Sequence, residues 1–286
     1  MTVHDSDTQG DQSSPGQDSD VLRVPIVGDL EPKPDPVFDN FESAIDAINR
    51  LAEDRSFDFV AGIGDVAHKG TRVQYEAATE ILQDLEAPFY PILGNEELEE
   101  STDRFFEYAK TWNDDPSAIP DISYVKTAND VLFVFATASK NGKDFDEEEL
   151  DWIESKLEAH EDLPAVLFVH AAPQNVFPEG RTMQTANFDR ILSMPNVSAV
   201  FSGHSHMSVH ETTTYARDEW ENHHVHIPGI ERTKVGDDHV PRFRIATIAS
   251  DGRTTVETYN VDEDQFEDEH EVTFQLKRVA VESNGD

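Results

Sequence analysis

The sequence predicts an α/β domain with two packed β-sheets of mixed direction and helices on their outer faces. In the first hundred residues, apolar runs that each end at a glycine alternate with helical patterns. Further buried-strand patterns follow up to residue 203, and from residue 208 onward strand-like runs succeed one another without helices. A length of 286 residues with 37% hydrophobic content suits one such unit.

The first part of the chain predicts a βαβαβ unit with parallel strands. Its three apolar runs are LRVPIVG (22–28), FDFVAGIG (57–64) and PFYPILG (88–94). A helix begins at Asp39 or Asn40 as its cap, and its apolar face is formed by Phe41, Ala44, Ile45, Ile48 and Leu51. A second helix has Thr71 as its cap, with Tyr75, Ala78, Ile81, Leu82 and Leu85 on one face. Right-handed crossovers then place the three strands side by side.

The second part of the chain predicts another set of strands. VLFVFATA (131–138) precedes a helix capped near Asp146, whose inward residues are Leu150, Ile153 and Leu157. AVLFVHAA (165–172), a short helix around 186–194 and SAVFSG (198–203) follow. The later strand-like runs are VHETTTYA, HHVHIPG, RFRIATIAS and TTVETYNV.

The two ends of the chain differ in composition from this body. We expect residues 1–20, which carry five acids and no Lys or Arg, to be a disordered tail. The domain is predicted to span 21–261, and the acidic segment 262–286 contains EVTFQLKRVAV, a possible edge strand.

The net charge of −37 limits the classes of partner and environment. Such charge destabilises a compact state at low salt, whereas molar salt shortens the Debye length to about 3 Å. We therefore expect the protein to come from a halophile.

The absence of cysteine and of a secretory signal or long apolar run predicts a cytoplasmic protein without a membrane span. No basic patch is visible for a nucleic-acid backbone.

Polar residues recur immediately after the predicted strands. They are Asp29, Asp65, Asn95, His170 and the pair His204 and His206 in FSGHSH. Because the carboxyl ends of strands in an open α/β sheet share one crevice, these side chains can converge there. Carboxylate, amide and imidazole ligands suit Mn²⁺, Zn²⁺ or Fe. Each residue alone is as readily a turn former or a satisfied polar group, so the prediction rests on the set.

In this order the motifs D-x-x, GD, GN, H and GHxH resemble those of the calcineurin-like metallophosphoesterase family, in particular its cyclic-nucleotide phosphodiesterase-like branch. The likeness covers roughly residues 22–250 and includes YEAATEILQDLEAPFYPILGN and MPNVSAVFSGHSHMS. The resemblance implies a four-layer αββα sandwich with two divalent ions at the sheet edge. It also implies that Asp65 bridges both ions, that Asp29 and His206 hold one, and that Asn95, His170 and His204 hold the other.

The implied reaction is the hydrolysis of a small phosphodiester or phosphomonoester. Two metal ions about 3.5–4 Å apart bind phosphoryl oxygens, lower the pKa of a bridging water and neutralise the developing charge. The candidate catalytic residues are Asp65, Glu96 and His204.

Two positions depart from the family pattern. The first motif, usually D-x-H, reads Asp29-Leu30-Glu31, and the third, usually G-N-H-[ED], reads Gly94-Asn95-Glu96-Glu97. Glu31 can still donate an oxygen to a metal, which favours Mn²⁺ or Mg²⁺ over Zn²⁺. Glu96 is a general acid if the crevice raises its pKa, whereas an ionised Glu96 repels the phosphate.

Several histidines have plainer interpretations. His68 is expected in a loop, and His210 is a weak candidate for a supporting role near His206. His223, His224 and His226 fit a half-exposed strand as well as a metal-binding tract and are left out of the site.

Three functions remain open on sequence grounds. The leading hypothesis is a phosphoesterase with two divalent ions, of which Mn²⁺ is favoured and Fe, Mg²⁺ and Zn²⁺ are alternatives. The second is a weakened or inactive member that binds a metal or a nucleotide, and the third is a regulator resembling a protein phosphatase. The loops 98–122, 173–185 and 207–240 are expected to select the substrate, and NDDPSAIPD within the first is expected to cap the site.

Overall fold

A computed structural model describes residues 21–278 of the chain as two β-sheets packed face to face. Of the strands in these residues, seven form the first sheet and six form the second. Both sheets mix parallel and antiparallel pairs, so the predicted fold class is confirmed.

The first sheet is built around the predicted βαβαβ unit. The strands β1 (Val21–Val27), β2 (Val60–Gly62) and β3 (Phe89–Pro91) are parallel, so their carboxyl ends share one edge. The connecting helices are α1 (Asp39–Asp54) and α2 (Arg72–Leu82). The sheet is extended by the antiparallel strands β10 (Arg242–Ala249), β11 (Arg253–Asn260), β12 (Gln265–Phe266) and β13 (Val272–Gln275).

The second sheet holds the parallel strands of the later chain. They are β5 (Val131–Phe135), β6 (Ala165–Phe168), β7 (Val197–Ser202) and β9 (His223–His226), with β4 (Tyr124–Ala128) and β8 (Tyr215–Arg217) antiparallel at the two edges. The strand order is β12-β11-β10-β1-β2-β3 in the first sheet, with β13 also paired to β11, and β4-β5-β6-β7-β9-β8 in the second. The helices α4 (Glu147–Ala159) and α5 (Asp189–Leu192) cover its outer face, and α3 (Thr102–Ala109) follows β3.

Aromatic residues fill the space between the sheets. Phe135, Phe168 and Phe201 form a stack with ring centroids 4.8 and 5.6 Å apart. This central cluster also includes the apolar faces of α1 and α2, while a separate cluster joins α4 and α5 to the second sheet. The result is the four-layer αββα arrangement, in which helices cover the parallel strands of both sheets and the edge strands β4, β12 and β13 are partly exposed.

Most of the predicted elements are present, and the exceptions have local causes. Asp146 caps α4 through a reciprocal hydrogen-bond pair with Glu149, as expected. The prediction that Asp39 or Asn40 caps α1 is wrong, because the helix begins at Asp39 and its cap is Phe38. The run VHETTTYA forms a strand only from Tyr215, because turns occupy the residues before it.

The terminal expectations have separate outcomes. The predicted tail 1–20 and residues 279–281 of the predicted edge strand lie outside the described residues. Val272–Gln275 do form a strand that pairs with β11, so the segment after residue 261 continues the first sheet. The domain boundary at residue 261 stays a prediction.

Candidate metal centre

The carboxyl ends of strands from both sheets bring the predicted site residues together. Asp29 follows β1, Asp65 follows β2, Asn95 follows β3, His170 follows β6, and His204 and His206 follow β7. Side chains at this edge form two groups, and within each group the possible ligand atoms all lie within 4.8 Å of one another. Asp65 belongs to both groups. One group is Asp65, His170 and His204; the other is Asp29, Glu31, Asp65 and His206.

The backbone at this edge adopts a conformation that the sequence does not reveal. Asp29, Asp65, His204 and His206 have positive φ angles of 50°, 54°, 67° and 45°. Such a conformation costs of order 1–3 kcal/mol for a residue other than glycine and persists only where the surroundings enforce it. It turns each side chain from its strand end into the crevice.

Two glycines allow the carboxylates to approach this closely. A Cβ atom at Gly94 would lie 2.1 Å from Oδ1 of Asp65, and one at Gly203 would lie 2.6 Å from Oδ2 of Asp29. The same Asp29 oxygen accepts the backbone N–H of His204 at 2.9 Å, and Asp65 Oδ1 accepts that of Glu96 at 2.9 Å. Each carboxylate is therefore oriented by a backbone hydrogen bond to one of its oxygens, and its other oxygen has no hydrogen-bond partner among the described residues.

Seven side chains at this edge each have a buried polar atom without a hydrogen-bond partner among the described residues. These atoms are Asp29 Oδ1, Glu31 Oε2, Asp65 Oδ2, Asn95 Oδ1, His170 Nε2, His204 Nδ1 and His206 Nε2. Buried polar atoms in proteins are nearly always paired, so a convergent set of unpaired ones needs an explanation.

The histidine tautomers show what the unpaired atoms can accept. His206 Nδ1 lies 2.9 Å from the carbonyl oxygen of Arg232 and His170 Nδ1 lies 2.7 Å from that of Ile63, so these nitrogens carry the hydrogens. The Nε2 atom of His206 then faces Asp29 Oδ1 at 2.9 Å, and that of His170 faces Asp65 Oδ2 at 3.4 Å. Either a proton on Nε2 or a metal ion must lie between such atoms, because their lone pairs would otherwise repel. Imidazoles whose Nδ1–H is oriented by a backbone carbonyl are typical of metal ligands. The donor set therefore fits divalent ions.

The ionisable groups strongly perturb one another in the absence of a metal. Burial alone would lower the pKa of His170, but the neighbouring Asp65 carboxylate raises it to about 10. Burial would likewise raise the pKa of Asp29, but His206 brings it below its ordinary value. Burial lowers the pKa of His204 to about 3, with the nearby His170 adding to the effect. A cation in the crevice would replace the protons that now balance these charges.

Glu31 lies in the crevice with one oxygen occupied and one free. Its Oε1 accepts a hydrogen bond from Arg232 at 2.8 Å and lies 3.4 Å from Nζ of Lys33, while Oε2 has no partner. Burial and the adjacent Asp65 raise the pKa of Glu31 to about 7. Its position is compatible with a metal ligand.

Glu96 is held in an ion pair. Its Oε1 bonds to Lys33 at 2.5 Å, and its Oε2 lies 2.7 Å from His68 Nδ1 and accepts the backbone N–H of Lys69 at 3.0 Å. Although burial would raise the pKa of Glu96, these donors bring it below its ordinary value. The geometry therefore argues against the expected general acid, because the group is an anion compensated by Lys33. His68 lies in a short 3₁₀ turn beside the site.

Several residues at the site escaped the sequence analysis. Glu97 is buried and accepts the backbone N–H groups of Asp65, Ala67 and Gly94 at 3.0, 2.8 and 2.7 Å, which joins two ligand loops. Burial and Asp65 raise its pKa to about 8. Lys33, Arg232 and Lys234 supply cations around the crevice. In a chain with only 22 basic residues, the closely spaced Arg232 and Lys234 are a weak sequence signal, whereas no pattern marks Lys33.

The remaining histidines and one loop lie elsewhere. His210 hydrogen-bonds to Arg242 at 2.8 Å and to His270 at 2.9 Å in a separate cluster. His223 hydrogen-bonds to Tyr215, and His224 to Asp218.

The expectation that NDDPSAIPD caps the site is wrong. Its Asn113 pairs with the backbone of Phe89 at the amino end of β3, opposite to Asn95.

Comparison with known proteins agrees with this geometry. The sequence profile of the calcineurin-like phosphoesterase family matches residues 6–208. The chain belongs to this family. Within it, the chain is 28% identical over 158 residues to a probable glycerophosphodiester phosphodiesterase of Arcobacter nitrofigilis, an alignment that covers 52% of this chain and 56% of that protein. The chain thus spans little more than half the length of this curated relative.

Two solved structures share the fold of this calcineurin-like phosphoesterase. A purple acid phosphatase from yellow lupin seeds superposes with a TM-score of 0.64 at 16% identity, over 92% of this chain and 55% of the lupin chain. The protein GAP50, described as the anchor in the inner membrane complex of Plasmodium, has a TM-score of 0.62 at 11% identity, over 92% and 91% of the two chains. No helix among residues 21–278 is both long enough and apolar enough to cross a bilayer.

Proposed function

We propose that the protein hydrolyses a small phosphodiester or phosphomonoester with two divalent metal ions, of which Mn²⁺ is favoured. The observation that carries this proposal is that six buried side chains with unpaired ligand atoms converge in two groups that share Asp65, with the unpaired Asn95 Oδ1 at the same sheet edge. Family membership supports the reaction class, and the diesterase relative supports a diester.

The side chains divide the work of holding the ions. Asp65, shared by both groups, would bridge them; Asp29, Glu31 and His206 would complete one set, and His170, His204 and Asn95 the other. Divalent ions held there would lower the pKa of a bound water molecule and would neutralise charge on the phosphoryl oxygens. Oxygen-rich coordination by Asp29 and Glu31 favours a hard ion such as Mn²⁺ or Mg²⁺ at that position.

Lys33 and Arg232 compensate the two glutamates that replace family histidines. Lys33 contacts both Glu31 and Glu96, so an anionic substrate meets an ion pair instead of a bare carboxylate at Glu96. We infer that Glu96 is a positioning residue for Lys33, whose ammonium group then faces the phosphoryl oxygens. Preorganised cations of this kind stabilise charge that develops in the transition state.

Hydrolysis of bis(4-nitrophenyl) phosphate in molar KCl tests the proposal. We expect turnover with Mn²⁺ that disappears with chelator and in Asp65→Asn, with 4-nitrophenyl phosphate as the monoester comparison. Folded protein with no turnover of either ester under Mn²⁺, Mg²⁺, Zn²⁺ or Fe²⁺ would contradict the proposed activity.

A second candidate function is a metal- or nucleotide-binding member without turnover. The observation that favours it is the ionised Glu96 at the position where the family pattern has a histidine. Replacing Glu31 and Glu96 together by histidine separates the two functions. A rate that appears only in the double variant, or rises greatly in it, indicates a member whose catalysis these glutamates weakened or abolished, whereas a loss of a measurable wild-type rate indicates an enzyme adapted to them.

A further inference from the structure

Two buried arginines lie on the same face of β10 and have different surroundings. Arg242 and Arg244 are two residues apart and only 4% and 1% exposed. Arg242 donates two hydrogen bonds to Glu267, at 2.7 and 2.9 Å, and a third to Asp238 at 2.6 Å. Its charge is therefore compensated by carboxylates, as buried charges in proteins usually are.

Arg244 has no such compensation. Its Nη2 donates to Thr214 Oγ1 at 2.8 Å, but Nε and Nη1 are buried and have no acceptor among the described residues. Burial lowers the pKa of this guanidinium to about 10, and the attraction of Glu267 only partly opposes the effect. An uncompensated cation in the interior costs several kcal/mol, which makes an acceptor for these donors necessary.

Two further unpaired polar groups belong to neighbours of Arg244. Thr258 lies directly opposite it on β11, and the buried hydroxyl of Thr258 has no partner. His226 lies opposite Thr214, whose carbonyl oxygen accepts the His226 backbone N–H at 2.9 Å. The Nε2 atom of His226 accepts the Met207 N–H at 3.2 Å, so Nδ1 carries the hydrogen, and it too is buried without an acceptor.

We propose that Arg244 binds a monatomic anion, chloride under ordinary salt conditions, between its Nε and Nη1 donors and the nearby groups of Thr258 and His226. The unpaired groups offer N–H and O–H donors, which an anion requires and a metal ion cannot use. Their burial favours an anion of one atom. A water molecule would accept the hydrogen bonds but would leave the guanidinium charge uncompensated.

The anion site supports the strand that leads to the metal centre. In the register of the first sheet Arg244 is paired with Ile26 of β1, and Asp29 follows three residues later. Bound chloride thus compensates a charge in the strand adjacent to β1. The proposal does not depend on catalysis, because it concerns side chains outside the ligand set.

Anomalous diffraction from crystals of the protein grown in sodium bromide tests the site directly. We expect a bromide peak within hydrogen-bonding distance of Nε or Nη1 of Arg244. Ordered water alone at these atoms, with bromide only at exposed side chains, would overturn the proposal.

Thermal unfolding gives an independent test in solution. At equal concentrations of sodium chloride and sodium methanesulfonate, we expect the wild-type Tm to be higher in chloride by about 2–4 °C or more, the shift typical of 1 kcal/mol in a protein of this size. The difference should diminish in Thr258→Val and disappear in Arg244→Met.

The matched control is Thr254→Val. Thr254 is as buried as Thr258 on the same face of β11, but its hydroxyl donates to the carbonyl oxygen of Gly252 at 3.3 Å. It should keep the wild-type chloride dependence. Equal chloride dependence in the wild type and all variants that fold would overturn the proposal, and the bromide experiment remains decisive if Arg244→Met does not fold.

Discussion

At the residue scale, the proposed function makes the approach of a phosphate depend on the pairing of Lys33 with Glu96. The two side chains are in direct contact, and Lys33 also lies near Glu31. A buried carboxylate without its cation repels an anionic substrate and loses the partner that offset its desolvation. The consequences of removing either partner should therefore depend on the other.

We predict that Lys33→Met lowers kcat/KM for the phosphodiester about 10–100-fold, because it leaves Glu96 uncompensated. The double variant Lys33→Met/Glu96→Gln should recover part of this loss, since it removes the unpaired charge as well. A double-mutant cycle of steady-state rates measures the coupling. Strictly additive effects would show that the pair does not act on the substrate.

Glu97 organises the ligand loops without touching the candidate metal atoms. In the wild type, three backbone N–H groups donate to the Glu97 carboxylate. In Glu97→Gln the side-chain NH₂ group, which is itself a donor, replaces one of the two accepting oxygens. We expect a loss of about 1–3 kcal/mol in the free energy of unfolding and a 10–100-fold weaker metal affinity. Calorimetric titration with Mn²⁺ and urea unfolding check both, with exposed Glu99→Gln as control. Unchanged affinity would refute this role.

At the element scale, the turn after β7 depends on the absence of a side chain at residue 203. Gly203→Ala places a Cβ atom 2.6 Å from Asp29 Oδ2, so the carboxylate must move. We predict that this variant loses the ion held by Asp29 and His206 while the ion held by His170 and His204 is retained. Metal analysis of the purified protein should show about one ion fewer per chain than in Ser202→Ala, and equal contents would contradict the prediction.

The ion pair between β10 and the segment before β13 predicts a pH dependence. Burial would raise the pKa of Glu267, but hydrogen bonds from Arg242 and Asn260 bring it below its ordinary value. The resulting stability is present above the unfolded pKa of about 4.3 and is lost as pH falls through the lower folded value. Glu267→Gln should therefore destabilise the protein at pH 7 and progressively less below pH 4. Urea midpoints from pH 3 to 7 test this, with exposed Glu269→Gln as control. A constant difference from wild type would contradict it.

Helices and strands with a clear hydrophobic periodicity could be predicted from the sequence, whereas those that depend on tertiary packing could not. The βαβαβ unit and its shared edge follow from apolar runs that end at Gly28, Gly64 and Gly94. By contrast, α3 lies within the predicted loop 98–122, and β4 has no predicted counterpart, because the apolar patterns of both are short. The placement of NDDPSAIPD depends on Asn113 pairing with Phe89, a contact that local sequence does not specify.

The same distinction applies to the site. Asp29, Asp65, Asn95, His170, His204 and His206 follow strand ends, so the topology alone brings them together. Lys33, Arg232 and Lys234 reach the crevice from long loops whose paths the sequence pattern does not determine. The lowered pKa of Glu96 could not be predicted either, because it depends on burial and on hydrogen bonds from Lys33 and the backbone of Lys69.

At the scale of the whole molecule, the charge of −37 predicts a stability that increases with salt. Screening shortens the Debye length from about 10 Å at 0.1 M to about 3 Å at 1 M and weakens the repulsion among carboxylates. We expect Tm to rise between 0.1 and 2 M in both potassium chloride and potassium methanesulfonate. A Tm that is constant or falls over this range would contradict the expectation of a protein adapted to high salt.

The central claim is that strands from both sheets bring their ends together around Asp65 to form a centre for two metal ions. The most direct measurement is the number of Mn²⁺ ions bound per chain, determined by elemental analysis after dialysis at molar KCl. We predict two ions in the wild type and fewer in Asp65→Asn, because that carboxylate belongs to both ligand groups. Absence of tightly bound metal in folded protein, or a content that Asp65→Asn leaves unchanged, would contradict it.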